Sequence, residues 1–176
     1  MFIKSIIIIL ISLPSILWAL SPCEQANALV DQAYYQPPTE KKATLIGALK
    51  LCPSHATAHN NLAVVFENEA DYPQAFYHYQ ETLKYGNRLE KNYALLGLGD
   101  VFYEQKQWPL SLKHYLQVCG FFIHARRRIA ALLKDERYRS VESKQVMKAD
   151  SLGLILNKDS LDKLYALAVS CQREKD

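Results

Sequence analysis

The sequence predicts an all-α fold, a short α-solenoid of about three helix hairpins followed by C-terminal capping helices. Three observations lead to this prediction. The chain matches itself when it is shifted by 36 residues, apolar side chains recur at intervals of 3, 4 and 7, and prolines and glycines fall where helices would start and end. With 176 residues, 49% of them hydrophobic and 22% charged, the chain is long enough for one compact domain.

The first nineteen residues have the layout of a secretory signal peptide. A single Lys4 precedes a run of isoleucines and leucines, and the small Ala19 follows a bulky pair. We expect cleavage after Ala19, so that residues 1–19 are removed and the protein is exported to the periplasm or cell envelope. An uncleaved membrane anchor is the alternative, although a spanning helix needs about 20 apolar residues. Lipid attachment at Cys23 is disfavoured because Pro22 precedes it.

The internal repeat is the strongest signal, since six of nine aligned pairs are identical. Each copy predicts a helix, a turn, and a second helix that starts at a proline, which suits the first helical position. We expect helices over 59–68, 73–85, 92–106 and 109–119, with Gly86 providing a left-handed stop. The aligned pairs are Leu62 with Leu98, Ala63 with Gly99, Val65 with Val101, Phe66 with Phe102, Tyr72 with Trp108, Pro73 with Pro109, Ala75 with Ser111, His78 with His114, and Tyr79 with Tyr115.

This pattern of small and aromatic residues resembles the tetratricopeptide repeat (TPR) family. The first copy carries it at Leu62, Ala63, Phe66, Tyr72, Ala75, Tyr79 and Leu83, and the second has Cys119 where leucine is expected. A degenerate unit, "TEKKATLIGALKLCPS" with the preceding "SPCEQANALVDQAYYQ", comes before them. The resemblance covers 22–125 and divides into 22–55, 56–89 and 92–125.

The remaining residues, 126–176, are expected to form a helical cap or extension. "FFIHARRRIAALLKDERY" is amphipathic, and a last helix is expected to open at Asp159 with an acidic first turn. Between these two helices the helical pattern of apolar residues weakens over 139–158, and "SLGLILN" in this segment is interpreted as a short strand or a surface loop.

The resemblance implies a concave surface formed by the first helix of each pair, which would bind an extended segment or a helix of another protein. The implied groove is neutral to acidic and contains two tyrosines, which favours a basic internal segment as the ligand. We therefore expect an exported TPR adaptor or scaffold that mediates protein–protein interaction in a bacterial periplasm or cell envelope. The groove positions are Thr57, Asn60, Asn61, Val64, Glu67, Asn68, Tyr93, Leu96, Asp100, Tyr103 and Glu104. An alternative is a peptidoglycan-associated protein whose functional module is 126–176 and whose repeats are a spacer.

Four cysteines follow the expected cleavage site, and an even number in an oxidising compartment favours disulfides. Cys23 and Cys52 fall at the same end of the first helix pair, so we expect them to bond. Cys119 and Cys171 would then pair by elimination. The alternative for Cys119 is a free, buried apolar residue in place of leucine.

No catalytic or metal site is expected, and no cofactor. His78 and His114 are equivalent positions in successive repeats, on the order of 10 Å apart, which is too far to share a metal. We interpret them as a repeated, semi-exposed helical surface. His55 and His59 have i,i+4 spacing but no glutamate beside the first histidine and no third ligand. Glycine-rich phosphate loops and nucleophile motifs are missing from the sequence.

The formal charge of +3 is too small for a protein that binds nucleic acid by neutralising many phosphates. Basic residues are nevertheless concentrated after residue 125. Arg126, Arg127 and Arg128 could contact anionic lipid headgroups or an acidic partner, or form part of an ordinary solvated helix face.

Overall fold

The computed structural model describes residues 20–134 and 158–173, and over these residues the protein is all-α. Eight helices and no strand are found in this part of the chain, which confirms the predicted fold class. The helices are α1 Pro22–Tyr34, α2 Pro38–Leu51, α3 Ala56–Asn68, α4 Tyr72–Tyr85, α5 Arg88–Glu104, α6 Trp108–Val118, α7 Ile123–Lys134 and α8 Lys158–Arg173. They form two compact units, 1–90 and 91–176, with the boundary inside α5.

The first unit contains α1 to α4 in two hairpins, and three of the four helix starts are capped by a side chain. Ser21 caps α1 through a capping box with Glu24, in which each side chain accepts from the other residue's backbone N–H. The His55 ring accepts from the backbone of α3, and the Asp71 carboxylate does so for α4. α2 packs against both α1 and α3, and α3 packs against α4.

The 36-residue repeat is visible in the backbone of two turns. Asp71 N–H donates to Phe66 O at 2.9 Å, and Gln107 N–H donates to Phe102 O at 2.8 Å. Ala70 and Lys106, the residues that precede these donors, have positive φ angles of 57° and 60°. A left-handed residue is unusual without glycine, so its recurrence at the same place shows that both hairpins use one turn geometry.

Several predicted boundaries need correction. α3 starts at Ala56 rather than 59, because its N-cap is His55. α5 starts at Arg88 rather than 92. The predicted left-handed stop at Gly86 is wrong. This residue is extended, with φ −72° and ψ 156°, and its N–H donates to Thr82 O. The expected strand or loop over "SLGLILN" lies outside the described residues.

The second unit is built around the hairpin of α5 and α6. Gly99 lets Tyr115 approach closely, because a Cβ atom at Gly99 would lie 2.5 Å from the tyrosine ring. The Tyr115 hydroxyl donates to Asp100 at 2.7 Å, and Ser111 Oγ donates to Gly99 O at 2.8 Å. α8 packs on α6 and α7, and Ile129 is fully buried in the shared core.

Both expected disulfides are present, one in each unit. Cys23 and Cys52 join the start of α1 to the end of α2, with Cα atoms 4.8 Å apart. Cys119 and Cys171 join the end of α6 to α8, with Cα atoms 6.5 Å apart. Two such bonds fit an oxidising environment. Among the described residues, no helix combines the length and the apolar character that crossing a bilayer would require.

Candidate binding site

Two adjoining cavities open on the first unit, at the face where α1 and α3 lie next to each other. The larger, which we name the Val64 cleft, encloses about 460 Å³. Val64 is 42% exposed although it is an aliphatic residue in the middle of α3. The cleft is lined by Ala33, Tyr34, Pro38, Lys41, Leu45, Asn61, Val64, Val65, Asn68 and Glu69.

The second cavity, the Tyr34 cleft, encloses about 400 Å³ and is lined by Val30, Asp31, Tyr34, Tyr35, Thr57 and Asn61. Tyr34 and Asn61 line both cavities, so the two form one track along this face. The track offers apolar surface, two aromatic rings and a few polar groups. This is the usual composition of a site that binds a ligand in a defined orientation.

Six groove residues were predicted for the repeat over 56–89. Four of them line this track: Thr57, Asn61, Val64 and Asn68. The Thr57 hydroxyl also donates to Glu90 at 2.6 Å. The other two have different surroundings. Glu67 accepts from the buried Tyr79 hydroxyl at 2.7 Å, and the Asn60 Oδ1 atom is enclosed without a donor among the described residues.

In the second unit, several predicted groove residues have contacts with Phe122, which precedes α7, or with Arg128 of α7. The Tyr93 ring packs on Phe122, with centroids 5.1 Å apart. Arg128 forms an ion pair with Asp100 at 3.2 Å and lies 4.6 Å from the Tyr103 ring centre. Leu96 packs against the core of the unit and Glu104 is exposed. These contacts involve three of the five groove positions predicted for this repeat, and Tyr93 is still 46% exposed.

Tyr34 and Tyr35 are the site residues that the groove prediction missed. They are 75% and 86% exposed, and their rings contact each other edge to face with centroids 5.1 Å apart. The degenerate first repeat hid them, because its pattern could not be aligned with the two clear copies. The doublet "YY" at the end of a helix followed by two prolines was the available signal.

The histidines are arranged differently from the prediction. His78 is buried rather than semi-exposed, at 8% exposure, and its Nδ1 lies 2.8 Å from Nδ1 of His59. His59 Nε2 lies 2.9 Å from Pro53 O, which can only accept. Neutral His59 must therefore carry its proton on Nε2, so the shared proton belongs to His78. Burial, with a further contribution from His59, lowers the pKa of His78 to about 4.

His114 shares only part of this arrangement. Like His78 on Phe66, it packs against the equivalent phenylalanine, Phe102. Its Nδ1 instead donates to Leu110 O at 2.8 Å, and burial lowers its pKa. The repeat over 56–89 therefore contains a buried His–His contact that the repeat over 92–125 lacks.

The three arginines proposed for membrane contact are not equivalent. Arg126 donates to Cys119 O at 2.9 Å, and Arg128 is held by Asp100 as described above. Arg127 is exposed on α7. Arg126 and Arg128 are half-buried, so Arg127 is the most exposed of the three.

The described residues contain no group of three or more histidine, cysteine, aspartate or glutamate side chains that could hold a metal ion. No protein-family model matches the sequence, and a comparison with curated proteins finds no significant match.

Proposed function

We propose that this protein is an exported adaptor of the tetratricopeptide repeat type, which binds an extended segment of another protein along α1 and α3. The single observation that carries the proposal is the track formed by the Tyr34 and Val64 clefts. It combines exposed apolar side chains with amide groups that are free to bond a ligand backbone.

The chemistry of the track supports a peptide rather than a small polar metabolite. Asn61 lies at the junction of the clefts and its side-chain amide forms no hydrogen bond within the described residues, so this amide can both donate to and accept from a peptide backbone. Val64 and Tyr34 on either side would bury a ligand's apolar side chains. An extended segment offers both kinds of group in alternation.

Export is supported by the two disulfides together with the predicted signal peptide. Both bonds join helices within one unit, where they restrict the unfolded chain and so stabilise the fold in an oxidising compartment. The bond between Cys119 and Cys171 also supports treating α7 and α8 as part of the second unit. We therefore favour the adaptor over a separate C-terminal module that binds peptidoglycan.

Site-specific photo-crosslinking in the producing cell tests this function. A photoreactive amino acid replaces Val64 in one variant and Gln80, exposed on α4, in the control. We expect a discrete crosslinked partner from position 64 that is absent from position 80 and is lost when Asn61→Arg fills the track. Equal products from both positions, or none from position 64, would contradict the proposal. Sedimentation of the intact protein with purified peptidoglycan would instead support the alternative.

A further inference from the structure

We propose that the Tyr34 cleft selects a proline-containing segment that carries a lysine or arginine next to its prolines. This inference rests on the proposed function, because it names the ligand chemistry of one part of the same track. Three features of the cleft lead to it: a pair of exposed tyrosines in mutual contact, side-chain hydrogen-bond donors, and a carboxylate without a partner among the described residues.

The backbone that carries the tyrosine pair is restrained on both sides. Tyr34 is the last residue of α1 and Tyr35 caps its end, where its N–H bonds to backbone carbonyls of the last turn. Pro37 and Pro38 follow almost at once and restrict the backbone that leads into α2. Tyrosine has few rotatable bonds, so two rings held in mutual contact lose little entropy when a ligand covers them.

Such an exposed pair suits proline rings. A polyproline II segment is already extended, has no internal hydrogen bonds, and docks on aromatic surfaces with little loss of chain entropy. A helical ligand would need a continuous apolar groove about as wide as a helix. The Tyr34 cleft instead contains polar groups, Thr57 and Asn61, in the same lining as the rings.

The donors of the cleft match what a proline-rich backbone displays. Proline has no N–H, so such a segment presents mainly carbonyl acceptors. The hydroxyls of Tyr34 and Tyr35 and the amide of Asn61 can all donate, and within the described residues none of these groups is bonded to another. A segment rich in free N–H groups would use these donors less well.

Asp31 supplies the preference for a cation. It is exposed in the cleft, and no described residue forms an ion pair or hydrogen bond with its carboxylate. The other acidic residue of the track, Glu69, is neutralised by Lys42. A ligand lysine or arginine beside the prolines would meet the unpaired charge, and an acidic ligand would be repelled by it.

Titration calorimetry with synthetic peptides tests the inference on the disulfide-bonded protein. The probes are a ten-residue peptide of prolines with two arginines, its counterpart with alanines for the prolines, and its counterpart with glutamates for the arginines. We expect the first to bind at least tenfold more tightly than either of the others. Equal affinity for the alanine peptide, or tighter binding of the glutamate peptide, would overturn the inference.

Three variants locate the effect. Tyr34→Ala and Tyr35→Ala are each expected to weaken binding about tenfold, as central aromatic contacts do. Asp31→Asn should weaken it a few-fold and abolish the preference for arginine over glutamate. The matched control is Tyr85→Ala, which removes another exposed tyrosine from a helix end of the same unit and should change nothing.

The tyrosines are exposed, so these variants are expected to fold, and thermal unfolding by circular dichroism checks this. Unchanged affinity in both tyrosine variants would overturn the inference. If position 64 still crosslinks a partner while the proline peptides bind no better than their controls, the ligand chemistry is wrong and the adaptor function stands. Loss of crosslinking as well would remove both.

Discussion

The buried contact between His59 and His78 makes the first unit sensitive to acid. His78 is neutral in the fold, with a pKa of about 4, whereas a histidine in the unfolded chain has its ordinary value of 6.5. Between these two values the unfolded chain binds more protons than the folded one. Stability therefore rises with pH across this window, is complete above 6.5, and falls as the pH is lowered from 6.5 towards 4.

The size of the effect follows from the same two values. Their difference corresponds to an upper limit of roughly 3 kcal/mol, most of which is lost by pH 4.5. This loss means a roughly 10- to 100-fold increase in the fraction of molecules in which α3 and α4 are open. Two other titratable groups lie near the pair. The Lys42 amine lies 4.2 Å from the centre of the Phe66 ring on which His78 stacks, and the Tyr77 ring contacts both histidines.

Hydrogen exchange measured by mass spectrometry at pH 8 and pH 4.5 checks this prediction, with peptides from α3 and α4 reporting on the first unit. The double variant His59→Leu/His78→Leu places leucine at 59, as the second repeat does at Leu95, and removes the buried His–His contact. We expect the acid-dependent opening to disappear from these peptides in the variant. The matched control His124→Gln changes an exposed histidine of α7 and should behave like the wild type. If wild type and double variant open equally between the two pH values, the reasoning is wrong.

Three further predictions concern packing. Gly99→Ala should destabilise the second unit by about 1–3 kcal/mol because its Cβ overlaps the Tyr115 ring, whereas Gly120→Ala, which has open space, should be nearly neutral in the same urea titration. Reduction of the disulfide in the first unit should lower stability by about 3–4 kcal/mol in the chain-entropy treatment, seen as a lower urea midpoint for peptides of α1 and α2; an unchanged midpoint would contradict it. Asp100→Ala should cost about 1–3 kcal/mol because the buried Tyr115 hydroxyl loses its acceptor, while Asp100→Asn keeps an acceptor and should cost less than half as much in thermal unfolding.

The repeat pattern was enough to predict the helices and the packing of rings such as Tyr79 and Tyr115, because each hairpin buries the same positions in the same geometry. It also led to the pairing of Cys23 with Cys52, since the ends of an antiparallel hairpin lie together, and the pairing of Cys119 with Cys171 then followed by elimination. It failed where one copy departs from the other. His59 occupies a position that is leucine in the second repeat, so no repeated signal pointed to its contact with His78.

The surroundings of the predicted groove positions depend on more than the repeat. Positions such as Asp100 were assigned to a partner by analogy between repeats, but tertiary packing determines which contacts they make. In the second unit Phe122, which precedes α7, contacts Tyr93, and Arg128 of α7 contacts Asp100. In the first unit Tyr34 completes the site from a helix whose own pattern is too weak to align. Neither outcome is encoded in the spacing of a single helix.

The order of the two disulfides along the chain bears on how the protein matures. The bonds join the first cysteine to the second and the third to the fourth, with separations of 29 and 52 residues. In a chain that crosses a membrane with its N-terminus first, Cys23 and Cys52 meet the oxidising side before Cys119 emerges. Each bond can thus form between the only two thiols free at the time. A protein with this connectivity should reach its native pairing with an oxidase alone, and deleting a disulfide isomerase from the producing cell should leave its yield unchanged.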